Sequence, residues 1–258
     1  MKLGICGAPA QLCTARALGY DYFETSAVGI AAMTPSEFAA FAEQNRVLRS
    51  GRFAGCLVCN GLFPGGLALV GPAADEQKIA AYLSGLLPRL RQLGVRKVVF
   101  GSGSARRCPE GTAPQQAHRQ LQAAARLAEG FLTGAGIAVG MEHLNRAETN
   151  LLNTLTQTLE FVRRVGEPGL GVTVDFFHLQ QENEPLSVLE QAAGMVTHAH
   201  TASPARQGLQ PQDLPQQQAQ AAALAAAGYD GTLSVEAAFA AFEAEGAASL
   251  AVLRQVYG

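Results

Sequence analysis

At 258 residues, 48% hydrophobic and 16% charged, the chain holds enough apolar material for a large core and too little charge for a disordered polymer. A net charge of −2 and a pI near 6.2 exclude the basic surface that a phosphate backbone requires, so nucleic acid is not an expected partner. The opening MKLGICGAPA is too short an apolar stretch for a secretory leader, and no run approaches the roughly 18 apolar residues of a membrane span; a cytoplasmic protein with no membrane partner is expected.

Short β-type runs then alternate with longer Ala- and Leu-rich helical stretches. The first run is KLGICG (2–7) and the second YFETSA (22–27), which leads into MTPSE, a helix start with Pro35 at the first helical position. The third, AGCLVCN (54–60), carries Cys56 and Cys59, which the period of two sends to opposite faces, against a redox or zinc pair. All five cysteines lie in apolar segments and fit reduced thiols better than a disulfide framework. KVVFGSG (97–103), AVGMEHL (138–144), LGVTVDF (170–176), MVTHAHT (195–201) and GTLSVEA (231–237) complete the set. Gly94, Gly136, Gly228 and Gly231 fall just before strands, where the incoming loop needs residues that accept positive φ. The Gln-rich QGLQPQDLPQQQAQ (207–220) reads as a polar loop running into a helix.

This order predicts parallel strands joined by right-handed helical crossovers. Eight units of about 32 residues, with no Pro/Gly/Ser-rich linker, predict an α/β fold: one closed (β/α)8 barrel of the TIM type, a single domain over residues 1–258. A doubly wound open sheet would call for GxGxxG after the first strand, and GICGAP has only two glycines, three apart.

In such a barrel the C-terminal strand ends share one face, where catalytic groups gather. Glu142 ends the fifth run, Asp175 the sixth, His198 and His200 the seventh, and Glu236 the eighth. Counted through His200, the gaps are 33, 25 and 36 residues, each near one βα unit, so four adjacent strands aim one ligand each at a shared centre. Any one of these acids alone reads equally well as a strand-end residue on a solvated loop. Four charged or polar groups ending apolar strands at this spacing call for a cation. Three carboxylates and an imidazole suit Mn²⁺, with Mg²⁺ and Co²⁺ as alternatives, better than a thiolate-rich zinc site. His198 and His200 are two apart and share a face, so one can bind metal while the other orients substrate or a ligand. His143 points to the opposite face from Glu142 and is expected to be structural, and His118 is expected on a helix surface.

The segment MEHLNRAETNLLNTLTQTLEFVRRVGEPGLGVTVDFFHLQ, with HAH and the final SVEAAF, resembles the sugar phosphate isomerase/epimerase group of xylose isomerase-like barrels, and within it the ketose 3-epimerases. The resemblance covers residues 95 to 206 and resumes at GYDGTLSVE. It implies Glu142, Asp175, His200 and Glu236 as ligands of one divalent metal, with Glu142 and Glu236 also serving as the acid/base pair. Glu148, His178 and Arg206 match residues that contact substrate oxygens, and His198 joins them as a substrate-orienting candidate. The segment GSGSARRCPEG after the fourth run resembles the family's loop that faces the same mouth, which implies Arg106 and Arg107 as contacts for a polyhydroxy or anionic group, with a solvated loop as the alternative reading. The implied activity is ketose 3-epimerisation by proton transfer through an enediolate that the metal stabilises. The partner is a small sugar, with phosphorylation and homo-oligomeric assembly left open.

The sequence departs from the family at QGLQPQDLP, where a Pro-Gly loop is usual, and it has no tryptophan, so aromatic contact with a sugar falls to Phe63, Phe100, Phe177 or Phe239. Alternatives are an aldose–ketose or inosose isomerase or dehydratase of the same barrel family, and a barrel that binds sugar without turnover. An endonuclease of this barrel type needs more histidine ligands and a basic face, and both are missing.

Overall fold

A computed structural model describes residues 1–258. Eight parallel strands close on themselves in sequence order: β1 (Lys2–Cys6), β2 (Tyr22–Ser26), β3 (Cys56–Asn60), β4 (Lys97–Phe100), β5 (Ala138–Glu142), β6 (Leu170–Asp175), β7 (Val196–Thr201) and β8 (Thr232–Val235). The ring closes where β8 pairs with β1 in the register Gly4↔Ser234 and Ile5↔Val235. Each of the eight β-type runs contains one strand, and the alternation of apolar and polar residues explains the layering. Leu3, Ile5, Phe23, Val98, Phe100, Val139, Met141, Val172, Val174, Leu233 and Val235 point outward into one continuous core shared with the helices. The inward positions hold mostly polar or small side chains, with Tyr22, Val58 and Val99 forming a separate small apolar cluster inside the ring.

The helices that cover the barrel are α1 (Leu12–Leu18), α2 (Ala27–Ala32), α3 (Pro35–Leu48), α4 (Glu76–Leu93), α5 (Pro114–Thr133), α6 (Leu155–Val165), α7 (Phe176–Gln181), α8 (Leu214–Ala226) and α9 (Phe242–Tyr257). No helix is long and apolar enough to cross a membrane. Helix α3 starts as its sequence predicts. Pro35 is the first helical residue, Thr34 Oγ1 accepts from the Glu37 amide at 3.3 Å, and Glu37 Oε2 accepts from the Thr34 amide at 2.8 Å. Asn45 on the buried side of α3 donates to the Leu93 carbonyl at 2.9 Å and accepts from the Cys56 amide at 2.7 Å, tying the helix to the start of β3.

Two local expectations are corrected. Cys56 and Cys59 do not face opposite ways: their sulfurs lie 3.9 Å apart in the outer core. The cause is a register shift. Phe23 pairs with Cys56 but Glu24 pairs with Val58, so one extra residue in β3 resets the alternation between the two cysteines. Gly94, Gly136 and Gly228 adopt positive φ, whereas Gly231 does not. A Cβ at Gly231 would stand 2.7 Å from the Tyr229 ring, so close packing selects glycine there. The Gln-rich segment enters α8 as expected, but Gln217 and Gln220 are buried and bond the Thr201 hydroxyl at the end of β7 at 3.0 and 2.9 Å.

Candidate metal centre

Glu142 and Asp175 are the last residues of β5 and β6, His200 lies one residue before the end of β7, and Glu236 follows β8 directly. All four point inward, and one ligand atom from each falls within 4.8 Å of the others. His200 Nδ1 is the hub: it stands 3.1 Å from Glu142 Oε1, 3.6 Å from Glu236 Oε2 and 3.8 Å from Asp175 Oδ2. Gly101, just past β4, makes the space. A Cβ there would come within 2.2 Å of Glu142 Oε2.

Three of the four donors are held from behind. Asp175 accepts from the Phe177 and His178 amides through Oδ1 at 2.7 and 3.1 Å, capping α7, and so leaves Oδ2 for the centre. Glu236 accepts from Asn60 Nδ2 through Oε1 at 3.2 Å and from Arg206 Nη2 through Oε2 at 3.2 Å. His200 donates its other ring nitrogen, Nε2, to Glu24 Oε1 at 2.9 Å.

The electrostatics are those of a site short of positive charge. Burial, reinforced by the neighbouring Glu236 charge, raises the Asp175 carboxyl to about 6, and burial likewise raises Glu142 against the pull of His200. Partial burial opposes ionisation of Glu236 as well, yet the charges of His200 and Arg206 hold it below its ordinary value. Burial opposes charge on His200, but the carboxylates of Glu24 and Glu236 keep its proton affinity well above normal. Three hard oxygen donors and one imidazole, spaced like ligands with bonds of about 2.0–2.2 Å to one ion, fit a divalent cation, whose charge would relieve this crowding.

The wall beside the centre comes from the loop after β5, from α7 and from the segment after β7. Asn145 presents its amide N–H and Nδ2 to His178 Nδ1 at 3.3 and 2.9 Å, so the ring carries its proton on Nε2. That Nε2 is buried without a hydrogen-bond partner, 3.9 Å from Glu148 Oε1 and 3.7 Å from Asp175 Oδ2. Arg206, in left-handed backbone geometry at φ 56°, bridges Glu148 and Glu236 and stacks 4.9 Å over the Phe177 ring. A strained non-glycine residue of this kind persists where its surroundings over-determine it. The structure thus places Glu148, His178 and Arg206 together on one side of the cluster formed by Glu142, Asp175, His200 and Glu236.

Two candidates lie elsewhere. His198 is fully buried below the centre, with Nε2 on Glu24 at 2.9 Å and Nδ1 on Thr232 Oγ1 at 2.7 Å, so both ring nitrogens are committed within the barrel. Arg106 is also fully buried and donates to the carbonyls of Glu142, Phe100 and Leu152, stitching the loop after β4 to β5 and the segment beyond it. Arg107 is exposed and bonds the Ala147 carbonyl at 3.0 Å. His143 is buried and accepts from the Asp175 amide at 3.3 Å, while His118 is half-buried on α5. Of the aromatic candidates, Phe100 faces the helices and packs edge-on against Phe63 at 5.0 Å, Phe239 packs on Phe242, and Phe177 lies beside Arg206.

Sequence reasoning missed Glu24, Asn60 and, as a positioning group, Asn145. Glu24 carried the same signal as the acids that were found, a charge inside an apolar strand run, but it sits in the middle of β2 rather than at its end.

The chain matches the family described as xylose isomerase-like TIM barrel over residues 13–256. It is 33% identical over 113 residues to an L-ribulose 3-epimerase from Mesorhizobium japonicum, a match covering 43% of this chain and 37% of that protein. It is 35% identical over 66 residues to a ketose 3-epimerase from Arthrobacter globiformis, covering 25% of this chain and 23% of that protein. The matched segments thus span little more than a third, or less, of these curated relatives. Among solved structures, a D-psicose 3-epimerase with D-tagatose from Clostridium cellulolyticum H10 superposes with a TM-score of 0.79 over 100% of this chain and 99% of that one. Its 20% identity makes the likeness one of fold.

Proposed function

The chain belongs to the xylose isomerase-like TIM barrel family, and on that premise we propose that it is a sugar epimerase that uses one divalent metal, Mn²⁺ foremost, to invert C3 of an unphosphorylated ketose. The observation that carries the reading is the convergence of two glutamates, Glu142 and Glu236, on His200 Nδ1 at 3.1 and 3.6 Å. The names of the matched relatives, which are 3-epimerases of ketoses, support the substrate class.

A bound divalent ion supplies Lewis-acid stabilisation of the negative charge that grows on a carbonyl oxygen as the adjacent C–H is deprotonated, worth about several kcal/mol. The protein residues do the rest. One glutamate accepts the C3 proton from one face of the sugar, and the other delivers a proton to the opposite face, which inverts the centre. Their environments already differ, since His200 and Arg206 hold Glu236 toward its ionised form while burial holds Glu142 toward its protonated form. His178 Nε2–H, buried and without a partner between Glu148 and Asp175, is free to donate to a substrate oxygen. Glu148, turned by Arg206, accepts from a neighbouring hydroxyl.

The same wall argues against a phosphate group. Arg206 is committed to two carboxylates and Arg106 to three backbone carbonyls, and the centre beside them holds three carboxylates. A phosphoryl group entering there would meet Glu148 and Glu236 before a free cation.

The test is a panel of ketopentoses and ketohexoses incubated with Mn²⁺, resolved by chromatography, with one arm run in D₂O. The expected result is a C3 epimer carrying deuterium at C3. An aldose product, label on a neighbouring carbon, or a loaded protein that converts no ketose would overturn the assignment.

A further inference from the structure

Glu24 lies at the middle of β2, one layer below the four donors, with no exposed surface. We propose that Glu24 is a positioning residue: with His198, Thr232 and Lys97 it forces His200 to carry its proton on Nε2 and to present a bare Nδ1 to the metal centre. The inference rests on the metal reading given above.

The argument is one of donors and acceptors. Glu24 Oε2 receives His198 Nε2 at 2.9 Å and Ser234 Oγ at 2.6 Å, and Oε1 receives His200 Nε2 at 2.9 Å. A carboxylate in that setting is an acceptor only, so both imidazoles must turn an N–H toward it. His200 in its neutral form is then unprotonated at Nδ1, the atom that faces Glu142, Asp175 and Glu236.

His198 obeys the same constraint and therefore needs a donor at its own Nδ1. The Thr232 hydroxyl supplies one at 2.7 Å. Thr232 is free to donate because its oxygen accepts from Lys97 Nζ at 2.9 Å, and that ammonium spends a second N–H on the Thr197 carbonyl at 2.7 Å. Tyr22 closes the other branch, placing its hydroxyl 2.8 Å from Ser234 Oγ, whose own proton goes to Glu24. Gly4 leaves room for that tyrosine, since a Cβ there would overlap its ring at 2.2 Å.

The bonds from the ammonium of Lys97 through Thr232 and His198 to Glu24 are consistent with one direction, with the Tyr229 hydroxyl 3.3 Å from Thr232 Oγ1 as a further neighbour. Because Glu24 can only accept, reversing His200 would leave a lone pair facing the Glu24 carboxylate. A carboxylate behind a ligating histidine fixes ring orientation and tautomer and raises ligand basicity, and its loss typically costs about 10- to 100-fold in metal affinity.

The full-length protein, stripped with chelator, is titrated with Mn²⁺ by calorimetry as wild type and as Glu24→Gln. The carboxamide keeps the shape but offers one acceptor oxygen and one NH₂, so it cannot accept from both imidazoles. Binding is expected to weaken by about 10- to 100-fold while circular dichroism remains native. In the Mg²⁺-saturated protein, ¹H–¹⁵N correlation spectra should show His198 and His200 both protonated at Nε2, and Glu24→Gln should lose that state in one of them. Thr232→Val, which leaves Glu24 and all four donors in place, serves if Glu24→Gln does not fold, and should weaken Mn²⁺ binding by about two- to tenfold. Affinities within about twofold of wild type in the folded variants, against the loss expected of such a partner, or a wild-type His198 protonated at Nδ1, would overturn the role of Glu24. A wild type that binds no Mn²⁺ would instead overturn the metal reading beneath it.

Discussion

Two glutamates with the same side chain occupy different electrical environments here, and the difference is visible in what touches them. Glu236 is gripped by Arg206 and Asn60, while Glu142 has His200 on one side and otherwise buried surroundings. If both exchange protons with the sugar, Glu142→Gln and Glu236→Gln should each lower turnover by about 10² or more with the fold retained; a variant keeping a tenth of wild-type kcat would remove that glutamate from the chemistry. Gly101 offers a gentler probe. Adding one methyl 2.2 Å from Glu142 Oε2 must displace that carboxylate, so Gly101→Ala is expected to weaken Mn²⁺ binding and lower kcat together. Calorimetry and steady-state kinetics on the same preparation would show whether the two fall in step.

Individual elements divide into those that carry the site and those that carry the barrel. Helix α7 is short, six residues, and its N-terminus is capped by Asp175, so one carboxylate both starts a helix and faces the centre. Helix α3, on the outer layer, has a capping box of its own that touches nothing functional. Thr34→Ala removes the side-chain acceptor at its N-cap and should cost about 1 kcal/mol of stability with kcat unchanged, as read by urea denaturation and by the epimerase assay. A loss of activity in that folded variant would mean that the outer layer is coupled to the centre more tightly than the packing indicates. The bulge in β3 shows an element overriding its own pattern: one extra residue turns Cys59 outward beside Cys56 and lets Asn60 reach Glu236.

On the scale of the whole molecule, the inside of the barrel is a charge problem that folding by itself leaves partly unsolved. Asp175 has a carboxyl pKa near 6 in the fold against an ordinary 3.8. The native state therefore binds that proton more tightly than the unfolded chain does. In the metal-free protein this group's contribution falls as pH rises from about 4 to about 6, because ionisation in the fold is opposed by burial and by Glu236. An ion needs the ionised form, so its stabilising effect runs the other way and grows over the same window. Thermal unfolding with saturating Mn²⁺ and with chelator should show a gap in Tm that widens from pH 5 to pH 7, with the loaded protein gaining about 2.7 kcal/mol at a hundred times Kd. A gap that is flat or narrows across that range would rule out Asp175 as a ligand.

The eight strand runs, the closed (β/α)8 arrangement and the strand-end positions of Glu142, Asp175 and Glu236 were legible in the sequence, because period-two alternation and one-unit spacing are local properties that survive into the fold. The spacing of the two histidines left open which one joins the acids, and the family resemblance favoured His200. What only the tertiary structure decided is who stands behind each of these groups. His198 and His200 share a face, yet one layer of depth puts the first against Thr232 and Glu24 and the second against three carboxylates. Arg106 reads as a mouth residue along the chain and becomes a buried clasp on backbone carbonyls once β4 and β5 lie side by side. Glu24 is 174 residues from His198 in sequence and 2.9 Å from it in space. Barrel closure makes that contact, and hydrogen-bond direction across the closed ring is a property no stretch of sequence contains.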